Sequence, residues 1–244
     1  FGIAEGPKFL RALEAEGYEL CGVFNVPPNL LSTTSIRPVL VVIGRGTNRG
    51  LYVAELEEET QAAAIAERFL NGIASEFLNK GMYLKQGNFA GFESLKAKLQ
   101  LKKLETQYKE YNTYTLGELA VKMNRIRPGD KLEQKNNAIY VPMLGSSKVT
   151  HNISDLTIKH HNVIQVVLSD KVRAQYLTFF FRSDLGLLTL RSLTRDTFIR
   201  KISKLDLSEA RVAIPTLDEQ DEIIYSNNRL GALTVAIDEF QKEL

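Results

Sequence analysis

Val212-Ala213-Ile214-Pro215-Thr216-Leu217-Asp218-Glu219-Gln220 passes from a short apolar run into a helix start. Pro215 ends a strand because it has no N–H to give to a ladder. Thr216 with Glu219 three residues on forms a capping box, and Asp218 and Glu219 put negative charge where a first helical turn exposes its N–H groups. From there Ile223, Leu230, Ile237 and Leu244 recur every seven residues, with Leu233 and Phe240 three beyond the second and third. A strand over Val212 to Ile214 therefore leads into a long C-terminal helix whose coiled-coil seam is Ile223, Leu230, Leu233, Ile237 and Phe240.

The same rhythm occurs upstream. Phe92 to Tyr111 reads as a helix in which Ala97, Leu101, Leu104, Tyr108 and Tyr111 step by four, three, four and three, a natural partner for the C-terminal seam in the same chain or in a second copy. Between the two, Tyr114 to Ala120 reads as a short helix or turn, and Ala138 to Leu144 and Val163 to Leu168 read as strands. Ser169 can cap a helix running through Val172, Tyr176, Phe179 and Phe180. Towards the N-terminus, Pro7 to Tyr18 reads as a helix stopped near Gly17, and Glu19 to Val26 as a strand ended by Pro27-Pro28. Cys21, in mid-strand, reads as a small buried hydrophobe. Pro38 to Ile43 has the continuous apolar pattern of a strand buried on both faces. The turn from Gly44 to Gly50 then returns the chain into Leu51 to Leu56 as a hairpin. Ile65, Phe69, Ile73 and Phe77, four apart, predict a helix over Thr60 to Phe77.

The 244 residues are 44% hydrophobic and 25% charged, which excludes collagen-like and wholly disordered chains and favours two units over one. One cysteine excludes an internal disulfide and a multi-cysteine zinc site, and three histidines offer no His-based metal set. No apolar run approaches the ~20 residues needed to span a bilayer, and no signal segment opens the chain. The expectation is a cytoplasmic protein with no membrane partner. Phe1 in place of an initiator Met reads as a piece of a longer protein. The net charge of +2 says little, but its distribution is uneven. Lys80 to Lys109 hold seven lysines against Glu93 and Glu105, and Lys171 to Lys204 hold eight cations against Asp184 and Asp196. Acid gathers at Glu55 to Glu59 and Asp218 to Glu222. Such segregation is the footprint of a polyanion-binding face.

Few residues suggest catalysis. Asn25-Val26-Pro27-Pro28-Asn29 has the outline of the loop with which amino-methyltransferases hold a flipped base, but Val26 intrudes and the aromatic is missing, so it reads as a strand-ending turn. Gly44-Arg45-Gly46 precedes a strand and cannot aim a helix N-terminus at a phosphate. Asp130 with Glu133-Gln134-Lys135 has the Glu-x-Lys half of a nuclease metal site, yet the Asp is too close to arrive from a separate strand, and a polar loop is the better reading. His160-His161 lacks carboxylates at useful spacing. No catalytic and no metal residues are assigned. Binding remains: Arg191-Ser192-Leu193-Thr194-Arg195-Asp196-Thr197-Phe198-Ile199-Arg200-Lys201 can offer Arg forks and short hydroxyls to phosphate or guanine.

Tyr114 to Ile237 resembles the target-recognition domains of type I restriction–modification specificity subunits. Tyr114-Thr115-Leu116-Gly117-Glu118-Leu119-Ala120 is similar to their opening Leu-Gly-(Asp/Glu) turn, and Ile139-Tyr140-Val141-Pro142-Met143-Leu144-Gly145 to their first core strand and following loop. Tyr176-Leu177-Thr178-Phe179-Phe180-Phe181-Arg182-Ser183 is similar to their Tyr-Leu-x-x-x-Leu-x-Ser helix. Val212 to Ile224 resembles their Ile-Pro-x-Pro-x-x-Glu-Gln-x-x-Ile-Val motif before a long spacer helix, with Thr216-Leu217 where the second proline is usual. Residues 1–56 resemble the tail of an adenine-specific N-6 DNA methylase. Phe9-Leu10-Arg11-Ala12-Leu13 and Val23-Phe24-Asn25-Val26-Pro27-Pro28 are similar to its helix and strand end, and Ser35 to Ile43 to the strand that follows.

The resemblance implies a fold of α/β and α+β class: residues 1–79 as the C-terminal portion of a methyltransferase α/β domain, 80–112 as a basic helical connector, 113–215 as a DNA target-recognition domain and 216–244 as a spacer helix. It implies double-stranded DNA as partner, met by Lys148, Arg191, Arg195, Arg200, Lys201 and Lys204 with Ser146 and Ser147. It also implies a methylase, a restriction subunit, a second specificity subunit or a second copy on the helix seam. The family's S-adenosylmethionine loop finds no counterpart, so the parent protein is expected to be a site-specific adenine DNA methyltransferase and these residues to hold no cofactor and transfer no methyl group. The rival reading is an interaction scaffold that uses the same seams without binding DNA. A nuclease built on Glu133 and Lys135 is the remote third.

Overall fold

Two interior strands organise the N-terminal part of the chain. The computed structural model describes residues 6–27, 38–45, 49–85, 87–105, 111–127, 129–143, 148–156, 162–194 and 201–243. The chain divides into two units, the first running to Lys96 and the second starting at Ala97. In the first, α1 (Gly6–Ala15) stops before Gly17, whose φ of +76° suits a residue without a Cβ. Strands β1 (Tyr18–Asn25), β2 (Val39–Arg45), β3 (Leu51–Glu55) and β4 (Met82–Leu84) form one sheet in the order β2-β1-β3-β4. β1 and β3 run parallel and the other pairs antiparallel.

This order corrects two expectations. β2 and β3 do not form a hairpin, because β1 lies between them. β2, expected to be buried on both faces, is an edge strand with Val39 and Leu40 48% and 56% exposed. The reason is burial: all five residues of β3 and the last six of β1 are buried and take the interior positions, which leaves β2 outside despite its apolar run. Cys21 is buried and free.

Helix α2 (Ala62–Leu70) follows a 3-10 turn over Glu59–Gln61 and lays Ile65 and Phe69 on the sheet. Phe69 meets Phe24 edge-on at 5.5 Å between ring centres and Tyr52 at 5.3 Å. The helix does not reach Phe77. Gly72, at φ +70°, takes the left-handed position, while Ile73 N–H donates to Arg68 C=O at 2.8 Å and Gly72 N–H to Phe69 C=O at 3.2 Å. That pair of bonds closes the last turn as a Schellman motif, and Ile73 and Phe77 beyond it are exposed. Part of the expected connector belongs to this unit, since β4 pairs with β3 and Lys96 reaches Glu55 at 2.7 Å.

Helix α3 (Phe92–Glu105) contains the division between the units. Its expected seam is partial: Ala97 is buried, Leu101 and Leu104 are half-buried, Tyr108 lies outside the described residues, and Tyr111 is exposed beyond the helix. In the second unit β5 (Asn112–Thr115) leads to the one-turn helix α4 (Leu116–Leu119), closed by a Thr115–Glu118 capping box. β6 (Ala120–Ile126), β7 (Ala138–Pro142) and β8 (Val163–Leu168) form a three-stranded antiparallel sheet in the order β6-β8-β7. Helices α5 (Ala174–Arg182), α6 (Asp184–Leu193) and α7 (Lys204–Ser208) follow. β9 (Arg211–Ile214) then returns to pair antiparallel with β5. The apolar core gathers Leu116, Ile139, Ile164, Leu177, Leu207 and Val212, among others.

Two side-chain amides, half-buried Asn137 and fully buried Gln220, hold the start of α5, and Ser169 does not cap it. Asn137, at φ +46°, accepts the Ala174 N–H on Oδ1 at 2.8 Å and donates from Nδ2 to the carbonyls of Ser169 and Val172. Gln220 accepts the Arg173 N–H at 2.9 Å and donates to the carbonyls of Pro215 and Lys171 at 2.9 and 3.2 Å. These partners arrive from distant sequence, which a local capping rule cannot foresee. Helix α8 (Leu217–Glu243) starts as the sequence predicts. Glu219 Oε2 accepts from the Thr216 N–H and hydroxyl at 2.8 and 2.9 Å, and Thr216 Oγ1 accepts the Glu219 N–H at 3.3 Å. Its first turns are tied to α5 by an Arg173–Asp221 fork and by Gln175–Asn228. Ile223 packs on the core, but every residue from Tyr225 to Gln241 is exposed. Leu230, Leu233, Ile237 and Phe240 therefore face solvent, and no described residue of this chain partners their seam. No helix among the described residues is long and apolar enough to cross a membrane.

Candidate nucleic-acid interface

Four segments meet at the carboxyl end of β7. Tyr140 and Thr150 exchange N–H···O bonds of 2.7 and 3.2 Å as an isolated antiparallel bridge. Just past the strand, Met143 donates its N–H to Asn162 C=O at 2.7 Å and accepts the Ile202 N–H at 3.1 Å. Arg182, in the last turn of α5, donates from Nε to Val149 C=O at 2.8 Å. Met143, Val149 and Ile202 are buried in the apolar core and anchor their segments. The residues beside the latter two, Lys148 and Lys201, are exposed. The alternation of a buried apolar residue with an adjacent cation thus sets Lys148, Lys201 and Arg182 along one rim.

His151 adjoins this rim, half-buried, with no hydrogen-bond partner on Nδ1 among the described residues. Burial pushes its pKa down; Asp155 opposes that and the Arg182 guanidinium adds to it, so the ring is largely neutral at pH 7. Asp155 is the local acid, accepting from the hydroxyls of Thr150 and Ser154 at 3.2 and 3.3 Å. Three cations on separately anchored segments suit phosphate oxygens, and a guanidinium can also fork onto a guanine edge.

The other candidate residues are placed differently. Arg191 is exposed at the end of α6, so the Arg191 to Lys201 stretch expected to bind begins inside a helix. Ser192 and Thr194, expected to offer hydroxyls to phosphate, are buried and donate to the carbonyls of Thr189 and Arg191 at 2.6 and 2.8 Å. Lys204 is exposed on the first turn of α7, which Ser203 caps. Arg195, Arg200, Ser146, Ser147 and the pair His160-His161 lie outside the described residues. In the sequence Arg182 is one cation of the Lys171 to Lys204 stretch and the next-to-last residue of the Tyr176 to Ser183 motif, and its place on the last turn of that helix is the available signal.

The nuclease-like and methyltransferase-like motifs are committed to structural bonds. Glu133 pairs with Lys131 at 3.0 Å and Lys135 at 2.9 Å, and hydrogen bonds from the Lys135 and Lys131 ammoniums hold its carboxyl below the usual range. Asp130 accepts the Arg127 N–H at 2.7 Å. Asn25 is buried and donates to Glu55 at 2.8 Å. No cluster of three metal-ligating side chains occurs among the described residues.

No protein-family model and no curated protein matches the chain. Among solved structures, it is similar to the S subunit of a type I restriction–modification system from M. genitalium, at 19% identity and a TM-score of 0.39 over 55% of this chain and 43% of that one. It is also similar to a chain from a structure on complex assembly and conformational transition of the type I R-M system, at 9% identity and a TM-score of 0.40 over 62% and 48%. The chain spans less than half the length of either of these two structural neighbours, which are components of type I restriction–modification systems.

Proposed function

We propose that the second unit is a recognition module for double-stranded DNA that meets the duplex with the rim at the carboxyl end of β7. The observation that carries this reading is the convergence of Lys148, Arg182 and Lys201 on segments pinned by Met143, Val149 and Ile202. Arg191, Arg195, Arg200 and Lys204, with Ser146 and Ser147, complete the proposed face. Most of these groups hold phosphates and position the module, while one or two Arg reach base edges and specify the site. The resemblance of Val212 to Ile224 and of Tyr176 to Ser183 to specificity-subunit motifs supports the same reading.

In this reading residues 1–79 are the tail of a methylase domain. Adenine methylation with S-adenosylmethionine then belongs to the parent protein and not to these residues. The α8 seam receives an apolar helix from a methylase, restriction or second specificity subunit, or from a second copy. That exposed seam is also what favours the scaffold reading, so salt-dependent DNA retention separates the two. With about five phosphates neutralised, log K for a mixed-sequence duplex falls with log salt at a slope near −4.5. Lys148→Ala or Lys201→Ala each flattens the slope by about one. Retention unchanged by Lys148→Ala, Lys201→Ala and Arg195→Ala at every salt concentration would leave only the scaffold.

A further inference from the structure

A cleft of about 660 Å³ opens in the second unit between the carboxyl half of α3 and the α5–α6 pair. Phe180, Leu185 and Leu193 line one side; α3 contributes Leu101 between Lys98 and Lys102. Arg211 and Glu209 also line it. Part of the Lys80 to Lys109 charge excess, which the DNA rim does not use, therefore stands over an apolar hollow.

We propose that this cleft binds a small amphipathic organic anion, with an aromatic or branched apolar body and one carboxylate, phosphate or sulfonate head. The volume lies inside the range of roughly 300–1,000 Å³ typical of small-molecule sites, which are mainly apolar with a few placed polar groups. Lys98 and Lys102 are one helical turn apart, where like charges repel, and a single anion between them offsets that repulsion. Among the described residues neither lysine has an acidic partner. The opposite wall cannot take the head. On that wall Thr189 donates its hydroxyl proton to the Leu185 carbonyl at 2.9 Å and Ser192 its own to the Thr189 carbonyl at 2.6 Å, so neither proton is offered to an anion. The head therefore sits at α3 and the body against Phe180, Leu185 and Leu193. A duplex backbone does not suit such a lining, so the site is independent of the DNA reading.

The test uses 8-anilinonaphthalene-1-sulfonate on the full chain, with the uncharged N-phenyl-1-naphthylamine as its counterpart. The expected result is saturable sulfonate binding at one site per chain. Lys98→Glu with Lys102→Glu weakens it about tenfold or more, the worth of a charged hydrogen bond, and leaves the uncharged dye within about twofold. Lys98→Gln with Lys102→Gln acts in the same direction at unchanged helical circular dichroism, which separates charge loss from misfolding. Leu233→Asp on the exposed α8 seam leaves binding unchanged. The inference is overturned by non-saturable binding, by equal affinity in both lysine double variants, or by loss of the site with Leu233→Asp.

Discussion

Replacing Gln220 with Leu removes a side chain that is fully buried and makes three hydrogen bonds, while nearly preserving its volume. The substitution strands the Arg173 N–H and takes one partner each from the carbonyls of Pro215 and Lys171. An orphaned buried group costs about 1–3 kcal/mol. The Arg173 N–H belongs towards the upper end, because its single hydrogen is directed at Gln220 Oε1 in a part-buried contact. Each carbonyl keeps another lone pair and stands near solvent, so it belongs at the lower end. The three losses come to about 5 kcal/mol and a buried Leu returns about 1.5–3 kcal/mol of apolar transfer, leaving a net loss of about 2–3.5 kcal/mol. The neighbouring Glu219→Ala removes only the exposed half of a capping box, worth about 1 kcal/mol. Urea unfolding followed by circular dichroism measures both, and the loss appears in the transition of the second unit. The reasoning fails if Gln220→Leu stays within about 0.5 kcal/mol of the parent chain, a typical surface effect, or costs less than Glu219→Ala.

Burial holds the His151 pKa below its ordinary value, so on acidification the unfolded chain takes up that proton first; stability present above about pH 6.5 is lost as pH falls through the folded pKa. His151→Asn should flatten the fall in thermal midpoint between pH 7.5 and 5.5, and an identical pH dependence in the two chains would exclude this role. Leu233 is 54% exposed, so Leu233→Asp should change monomer stability by no more than about 0.5 kcal/mol while weakening any association through α8. Sedimentation velocity over a concentration series reads this, and matching profiles with self-association intact would place the contact elsewhere. Titration calorimetry with S-adenosylmethionine should give no saturable heat, whereas one-to-one binding would return cofactor chemistry to these residues.

Local rules read much of the second unit. The Thr216–Glu219 box, the Val163 to Leu168 strand and the pairing-length run at Val212 to Ile214 depend on neighbours within a few residues, and all three occur as expected. Two features needed non-local information. β2 and β3 are adjacent in sequence but compete with β1 for interior positions, and relative burial decides that contest. The α5 cap comes from Asn137 and Gln220, 37 and 47 residues away from the amides they accept. The helix over Thr60 to Phe77 failed for a nearer reason: a four-residue apolar repeat outweighed Asn71-Gly72, an ordinary helix stop. At the candidate rim, Lys148 and Lys201 were legible as exposed cations. Arg182 was not, because its role depends on the Val149 carbonyl 33 residues away.

The residues that carry the resemblance and those proposed to meet DNA are different sets, with different physical tasks. Pro215, Glu219 and Gln220 end a strand, cap α8 and lock it to the start of α5; Tyr176 donates its hydroxyl to Ala213 C=O at 2.7 Å, joining α5 to β9. Each sits where a substitution strands a polar group or opens the core, so the motif encodes a scaffold. Lys148 and Lys201 sit one residue before buried anchors, where an exposed side chain can change without disturbing the fold. A motif match through Ile214 to Gln220 therefore bears on architecture and leaves the target sequence open. In the proposed module, base preference would rest with Lys148 and Lys201, the exposed neighbours of Val149 and Ile202. Exchanging those side chains while keeping Gln220, Asn137 and the three anchors should alter DNA preference at constant stability, and that separation is the physical content of the proposed module.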